Sequence, residues 1–437
     1  MSERAAELVT IEKPVYGGDF LARIDGKAVF VPLTLSGEQV RVRLVEDKRA
    51  YARAEIESIL QAAPNRIEPA CPHFGACGGC HYQHAGYETQ LALKQSILLE
   101  TLARAGVAVP AEISVLSAEP WHYRNRIRLA FDAHGNLGYR GRRSHSIIPL
   151  HECPIAAPLL LRAAFSIQQF LPKFAPASNP SELALFCNHD ESALLASIVF
   201  PRTMRVSTDE LTAGLHEQIP QLSGLELLAE AQRNKPPRRF AMAGSNSLIY
   251  RVADFDYRVD HGAFFQVNRW LIDALVDRVC AHCTGRLAWD LFAGVGLFAR
   301  RLAAGFDRIV AVESAPAAAA ALAYNLRESS ATHESCEALA FLRRNRKSEQ
   351  PDLIVLDPPR TGLGAETTSL LAAIAAPEIV YVSCDPATLA RDLRALLASG
   401  YTLQSLTLAD LFPQTFHLET VAHLTAKPGA GPDTLPS

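Results

Sequence analysis

Cysteines occur in this sequence in two contexts that suit different chemistry. Cys71, Cys77 and Cys80 lie close together in the run CPHFGACGGC, whereas Cys384 stands alone in EIVYVSCDPATL. Thiolates are both metal ligands and nucleophiles. The grouped cysteines therefore predict a metal site, either half of a zinc site or part of an iron–sulfur site. The single cysteine is a candidate nucleophile.

Cys384 directly follows the apolar run EIVYVS, and Asp385 and Pro386 break the strand before a helical stretch. Open α/β sheets place ligands and reacting groups just beyond the carboxyl ends of their strands. A lone cysteine is most often a small buried apolar residue. This position favours a functional role, and we expect the nearby helix start to lower the pKa of the thiol.

A glycine-rich turn in LAWDLFAGVGLFARRLA predicts a cofactor site. Gly294 and Gly296 let the chain turn sharply between an apolar strand and a helix. G-x-G alone would also fit a dinucleotide oxidoreductase. Glu313 ends the next strand, RIVAVES, where it could accept hydrogen bonds from ribose, and Asp357 begins DPPR after a further strand. Together these features indicate an S-adenosylmethionine methyltransferase.

The composition excludes several classes of protein. The chain has 437 residues, 49% of them hydrophobic, and a formal net charge of −3. No apolar run is long enough to span a membrane, and the start, MSERAAELVTIEKP, is not a secretory signal. We therefore expect a cytoplasmic protein in which any binding of nucleic acid depends on local positive charge.

The order of sequence patterns predicts an α/β protein with three domains. Short alternating strands with turn signals suit a small OB-like β-barrel, and a mixed α+β region follows. Apolar strands that alternate with helices then indicate a Rossmann-like parallel sheet covered on both faces. The predicted bounds are 1–62 for the barrel, 63–262 for the central domain, 263–427 for the C-terminal domain and 428–437 for a disordered tail.

Five motifs resemble the RNA uracil-5-methyltransferase family, whose members modify bacterial ribosomal or transfer RNA. They are FFQVN (264–268), DLFAGVGLF, LDPPRTGL, YVSCDPATL and DLFPQTFHLE, in that order. The barrel is similar to the TRAM RNA-binding module, and the cysteine-rich run resembles the cluster site of the family. The family also implies that the helix near residues 87–106 packs on the catalytic domain.

The resemblance assigns roles to individual residues. Cys384 would add to carbon 6 of uracil, which makes carbon 5 nucleophilic, and Glu419 would remove the carbon 5 proton. The position of Glu419 alone would not have singled it out. The chain departs from the family at Asp385, usually Asn, and at Leu297, often polar. The residues matched to cofactor binding are Gln266, Phe292, Gly294, Glu313 and Asp357.

The resemblance also supplies a fourth metal ligand, Cys153 in the run HECPI. The spacing C-x5-C-x2-C of the trio matches structural zinc poorly, and four cysteines suit a [4Fe-4S] cluster. Four protein ligands leave no open iron for a substrate. We therefore expect Cys71, Cys77, Cys80 and Cys153 to hold a structural or RNA-orienting cluster.

An arginine-rich stretch at residues 121–151 predicts contact with RNA. It carries six arginines against one acid, Asp132, with Trp121, Tyr123 and Tyr139 interleaved. An ordinary solvated strand face is the alternative. Arginine planes and aromatic rings suit phosphates and unstacked bases, and a target uracil must leave its stack to reach an active site.

Several alternative functions can be compared with this one by the residues that each would require. A cytosine-5 enzyme would need a second cysteine where Asp357, Pro358 and Pro359 stand, and a radical methylthiotransferase would need C-x3-C-x2-C. A non-catalytic RNA-binding protein could use the same barrel. Cys280 and Cys283 form C-x-x-C without a second pair, which disfavours zinc or redox function. Barrel and cluster together favour 23S ribosomal RNA over transfer RNA as the substrate.

Overall fold

The N-terminal part of the chain is a six-stranded sheet around its own apolar core. The computed structural model describes residues 6–174, 179–205, 207–231 and 236–427, so the predicted disordered tail lies outside the described residues. Bulges between the strands Gln39–Asp47 and Tyr51–Gln61 bend the sheet. The spatial order is β1-β5-β6-β4-β3-β2, with β1 Glu7–Thr10, β2 Lys13–Pro14, β3 Asp19–Ile24, β4 Lys27–Pro32, β5 Gln39–Asp47 and β6 Tyr51–Gln61.

A cysteine-rich segment, residues 62–86, connects this bent six-stranded sheet, called the barrel from here on, to the helix α1, Tyr87–Arg104. Leu91, Ile97, Leu98 and Leu102 repeat at helical spacing and are buried. The helix contacts the C-terminal part of the chain, and its fully buried Lys94 forms an ion pair with the equally buried Asp410 at 2.5 Å. The short strand β7, Ser114–Leu116, follows.

The central part is a seven-stranded sheet with two helices, followed by a separate hairpin. The sheet has the order β10-β9-β8-β11-β12-β13-β14. Its elements are β8 Arg126–Phe131, β9 Leu137–Arg140, β10 Ile147–Pro149, α2 Pro158–Phe174, β11 Glu182–Cys187, β12 Leu194–Phe200, α3 Thr208–Gln218, β13 Leu222–Ala229 and β14 Arg238–Gly244. The hairpin is β15 Ser247–Val252 and β16 Phe255–Asp260.

The C-terminal part is the predicted Rossmann-like sheet, which confirms the α/β fold class. Its strands alternate with helices, except that the last two strands form a hairpin. The elements are α4 Ile272–Cys280, β17 Gly285–Leu291, α5 Leu297–Leu302, β18 Phe306–Val312, α6 Pro316–Leu326, β19 Ala331–Glu334, α7 Ala338–Asn345, β20 Leu353–Leu356, α8 Gly364–Ile374, β21 Glu378–Ser383, α9 Pro386–Ala398, β22 Tyr401–Ala409 and β23 Glu419–Ala426.

The order of this sheet is β19-β18-β17-β20-β21-β23-β22-β7. Strand order reverses between β17 and β20, which is where open α/β sheets bind ligands. Both faces are buried: Leu353 and Val355 face one apolar cluster, and Ile354 and Leu356 face the other. β7 joins the far edge by pairing with β22. No helix within the described residues is both long and apolar enough to cross a membrane.

Candidate active site

The register between β21 and β23 brings the candidate nucleophile and the candidate base together. The strands are antiparallel, and Ser383 pairs with Thr420. Cys384 follows Ser383, and Glu419 precedes Thr420. In an antiparallel pair these two residues therefore lie opposite each other, where the pairing of the two strands ends. The Thr420 hydroxyl also donates to the Ser383 carbonyl at 3.1 Å, which fixes this end of the pair.

The glycine-rich turn after β17 forms the adjoining wall. Gly294 and Gly296 have φ of 57° and 89°, and a Cβ on Gly296 would lie 2.7 Å from Leu322. Only glycine fits there without strain or displacement. The Asp290 carboxylate accepts the Ala299 amide at 2.9 Å, so it holds the start of α5 against the end of β17.

The other predicted cofactor residues lie at the same edge of the sheet. Glu313 follows β18 and accepts the amide of Gly294 at 2.8 Å, which holds the glycine turn next to the second strand. Asp357 follows β20. The Gln266 carbonyl accepts from Asn125 of the central part at 2.9 Å. All seven predicted residues line one cavity of about 640 Å³: Gln266, Phe292, Gly294, Glu313, Asp357, Cys384 and Glu419.

Two buried acids, Asp290 and Glu419, and the half-buried Asp357 lie in or beside this cavity. Burial raises the pKa of Asp357 to about 7. Burial, with a contribution from Asp357, likewise raises the pKa of Asp290 to about 7. The pKa of Glu419 is raised well above its ordinary value by burial and by Asp357, against an opposing effect of Arg360. A carboxylate with a raised pKa is a better proton acceptor than a solvated one.

The expectation that the helix start lowers the pKa of Cys384 is wrong. Burial raises the pKa of this thiol to about 12, Glu419 and Asp357 raise it as well, and Arg360 acts in the opposite direction. The first amides of α9 are taken by the Asp385 carboxylate, which accepts from Ala387 and Thr388 at 3.0 Å. The thiol therefore needs a nearby proton acceptor to react.

Sequence reasoning missed three residues of the cavity. Arg360 acts on the pKa of both Cys384 and Glu419, and its guanidinium lies 3.2 Å from Nδ1 of His417. Phe264 is 61% exposed although it lines the cavity. Each stands inside a motif already noted: DPPR, FHLE or FFQVN. The exposure of an aromatic side chain, or the position of a charge beside two reactive groups, would have identified such residues, but both are known only from the fold.

Comparisons with known proteins agree with this geometry. The family described as tRNA (Uracil-5-)-methyltransferase matches residues 210–427, and the TRAM domain matches residues 3–56. The chain is 32% identical to the 23S rRNA (uracil(1939)-C(5))-methyltransferase RlmD of Shewanella frigidimarina, over 92% of each chain. The chain belongs to the RNA uracil-5-methyltransferase family. It is an S-adenosylmethionine-dependent enzyme that methylates carbon 5 of a uridine in RNA.

Two further comparisons cover almost the whole methyltransferase. An uncharacterized RNA methyltransferase of Aquifex aeolicus is 31% identical over 96% of this chain and 98% of the relative. The crystal structure of Pyrococcus abyssi tRNA (uracil-54, C5)-methyltransferase with S-adenosyl-L-homocysteine has a TM-score of 0.77 and 23% identity, over 96% of this chain and 100% of that one. At that identity the second match shows the fold alone.

Cys153 of the methyltransferase lies near the three cysteines of the cysteine-rich segment, so the four predicted metal ligands share one region. The pKa of Cys80 is raised to about 12, chiefly by burial and in smaller part by Cys153, Cys77 and Cys71. All four thiols are free. Across the described parts of the chain, no three Cys, His, Asp or Glu side chains converge in an arrangement that could hold a metal ion. The predicted ligands are therefore neighbours without a formed metal site.

The arginine-rich stretch of the methyltransferase is divided between interior and surface. Arg126 points inward, where its guanidinium lies over the Phe186 ring and donates to the Ala263 carbonyl. Tyr123 is also buried, and its hydroxyl donates to the Pro413 carbonyl, so its ring is not available for contact with RNA. Four other arginines line a second cavity of about 640 Å³ between barrel and central sheet: Arg128, Arg140, Arg142 and Arg143.

Proposed function

We propose that this methyltransferase modifies a uridine of 23S ribosomal RNA, with Cys384 as the nucleophile and Glu419 as the base. The observation that carries the proposal is their shared position, opposite each other at the end of a strand pair and beside the glycine turn. Gln266, Phe292, Gly294, Glu313 and Asp357 would surround the cofactor in the same cavity.

The first step is the addition of Cys384 to the target base. Carbon 5 of uracil attacks a methyl sulfonium too weakly unless carbon 6 carries a nucleophile. The thiol proton passes to a neighbouring carboxylate, Asp357 or Glu419, whose raised pKa favours acceptance. The Sγ–C6 bond then forms, and the electron pair of the ring double bond moves into an enolate. Arg360 lowers the pKa of the thiol and so favours this step.

The second step transfers the methyl group and then releases the product from Cys384. Bound S-adenosylmethionine supplies the methyl group as a positively charged sulfonium. Carbon 5 takes the methyl group, and Glu419, once it has lost any proton taken up earlier, removes the hydrogen left on carbon 5. The electron pair of that C–H bond restores the double bond, and the Sγ–C6 bond breaks to return Cys384 as a thiolate. Burial, which raises the pKa of Glu419, makes it a stronger base for this transfer.

Two features outside the catalytic cavity support binding of RNA, and the names of relatives favour ribosomal RNA as the substrate. The chain carries an N-terminal TRAM domain, and four arginines line the cavity between that barrel and the central sheet. Grouped arginines bind phosphates, so we propose that RNA crosses this junction. Relatives that cover both the barrel and the catalytic part are named for 23S ribosomal RNA. An enzyme with this substrate would act in the cytoplasm.

The substrate is tested by mapping 5-methyluridine by mass spectrometry in RNA from cells with and without this gene. We expect one or more 5-methyluridines to disappear from 23S ribosomal RNA and to return with the wild-type gene but not with Cys384→Ala. Loss of 5-methyluridine from transfer RNA alone would replace the proposed substrate with transfer RNA.

We further infer that Cys71, Cys77, Cys80 and Cys153 hold a [4Fe-4S] cluster. Their donor set supports it: the charges of Cys71, Cys77 and Cys153 all act on Cys80, and that of Cys71 acts on Cys77. A single zinc ion requires its thiolates about 2.3 Å from one shared centre. A cluster instead binds each cysteine through a different iron and so spaces the thiolates more widely. The cluster would tie the cysteine-rich segment to the central sheet through Cys153.

The cluster is tested by anaerobic purification with assay of iron, sulfide and zinc. About four irons and four sulfides per chain, lost in Cys80→Ser, are expected. Stoichiometric zinc without iron in a fully active enzyme would contradict the inference.

A further inference from the structure

A turn of the N-terminal barrel reaches the two chain segments that carry the candidate catalytic pair. Tyr16 lies between β2 and β3, and its hydroxyl donates to the backbone carbonyl of Cys384 at 3.3 Å. Its ring meets that of Phe416 edge to face, with 5.4 Å between centroids. Phe416 stands three residues before Glu419. One side chain of the barrel therefore touches both catalytic segments.

Each of the two rings also packs against the apolar core of the part of the chain from which the other ring comes. Tyr16 packs against the apolar cluster on one face of the C-terminal sheet, and Phe416 packs against the core of the barrel. The ring of His81 in the cysteine-rich segment also meets that of Phe416, with 4.7 Å between centroids. The main-chain amides of His81 and Tyr82 donate to the Gln414 carbonyl. The segment that precedes Glu419 is thus held from the barrel and from the cysteine-rich segment.

The turn that presents Tyr16 depends on two glycines. Gly17 and Gly18 have φ of 109° and 89°, a backbone region that other residues rarely adopt. A Cβ on Gly18 would lie 2.8 Å from the His81 ring. The turn is therefore closely fitted against the cysteine-rich segment, and this fit sets the position of Tyr16.

The Tyr16 hydroxyl remains a donor under ordinary conditions. Burial is the main cause of its raised pKa, and Asp385, the residue after Cys384, adds to it. A hydroxyl that stays protonated can donate to the Cys384 carbonyl without adding charge beside the thiol.

We propose that Tyr16 is a positioning residue that fixes the Cys384 backbone and the segment before Glu419 relative to each other, so that docking of the barrel assembles the catalytic pair. The inference rests on the proposed covalent mechanism. It gives the barrel a second role: besides binding RNA, it sets the geometry in which Sγ of Cys384 meets carbon 6. Small displacements of reacting groups strongly reduce rates, because reaction requires a near-attack geometry.

The test measures formation of the methylated covalent adduct with S-adenosylmethionine and a 23S ribosomal RNA transcript that contains 5-fluorouridine. A base cannot remove fluorine from carbon 5 as a cation, so the adduct persists after methyl transfer. Wild type, Tyr16→Phe, Tyr16→Ala and the control Tyr51→Phe are compared at saturating RNA, with RNA affinity measured separately. Tyr51 is a barrel tyrosine whose ring meets Phe30. Rates are normalised to the fraction of enzyme that binds S-adenosylmethionine, so that misfolded protein does not contribute.

Tyr16→Phe is expected to slow adduct formation about tenfold, the effect of one lost hydrogen bond of about 1.4 kcal/mol, with RNA affinity changed less than about twofold. Tyr16→Ala is expected to be slower still because it also loses the ring contact, and Tyr51→Phe is expected to match wild type. Equal rates for Tyr16→Phe and wild type, or a loss confined to RNA affinity, would overturn the positioning role. Absence of an adduct with wild type would overturn the proposed covalent function instead.

Discussion

The catalytic cavity and the cysteine-rich segment both contain cysteines whose pKa burial raises to about 12, yet their surroundings differ. Beside Cys384 the groups that affect its pKa are Glu419, Asp357 and Arg360. Beside Cys80 they are three further thiols and Gln83. A buried thiol near carboxylates can pass on its proton. A buried thiol among other thiols has no such acceptor but gains from a shared metal centre. The neighbours, rather than the shifted pKa, separate the two roles.

Removal of the nucleophile should have the largest effect on activity. Cys384→Ala is expected to lower methylation by at least about 10⁴-fold, because the covalent route is lost. Binding of RNA should change little. Cys283→Ala, a partly buried cysteine outside the cavity, is the matched control and should retain wild-type turnover. Measurable turnover within tenfold of wild type in Cys384→Ala would rule out covalent catalysis by this residue.

Replacement of the base should stop the reaction after methyl transfer. Glu419→Gln is expected to reduce turnover about 10²- to 10⁴-fold and to accumulate a denaturant-stable complex with ordinary uridine RNA, since the carbon 5 proton stays in place. Gel electrophoresis under denaturing conditions detects that complex. Slow turnover without any trapped complex would assign proton removal to another group.

Arg360 should affect the proton transfers of Cys384 and Glu419, which have no counterpart in the cysteine-rich segment. It lowers the pKa of both Cys384 and Glu419. Arg360→Gln should therefore raise both pKa values. A rise of about one unit in the pKa of Cys384 lowers the thiolate fraction, and with it the rate of adduct formation at pH 7, about tenfold. The rate should recover as the pH rises, because the thiol then ionises more readily. A pH–rate profile compares it with Arg162→Gln, an exposed site on α2, and an unshifted profile would contradict the prediction.

Loss of a cysteine from the cysteine-rich segment should have the smallest effect on chemistry. Cys80→Ser is expected to lose iron and to lower the thermal midpoint, since metal binding contributes to folding. Turnover per folded molecule should change less than about threefold, because no open ligand position takes part in the reaction. Loss of turnover in correctly folded Cys80→Ser comparable to that of Cys384→Ala would contradict a structural role.

Much of the fold was readable from local patterns. Apolar runs predicted the strands, and Gly294 and Gly296 predicted the turn beside the cofactor, because both depend on nearby residues. Glu419 came from the family resemblance, since a glutamate at a strand start is ordinarily solvated. The role of Glu419 depends on the pairing register of β21 and β23, which sequence alone does not specify. Tyr16 was missed because it acts from a different part of the chain. Burial of Tyr123 within the arginine-rich stretch was not foreseen, because its partner, the Pro413 carbonyl, is distant in sequence.

The most direct measurement is peptide mass spectrometry of the enzyme after reaction with 5-fluorouridine RNA and S-adenosylmethionine, followed by nuclease and protease digestion. A methylated fluorouridine adduct on the peptide that contains Cys384 is predicted, with Cys153 and the three cysteines of the cysteine-rich segment unmodified. An adduct on any other cysteine, or a methylated RNA product without an adduct, would contradict the assignment of catalysis to Cys384.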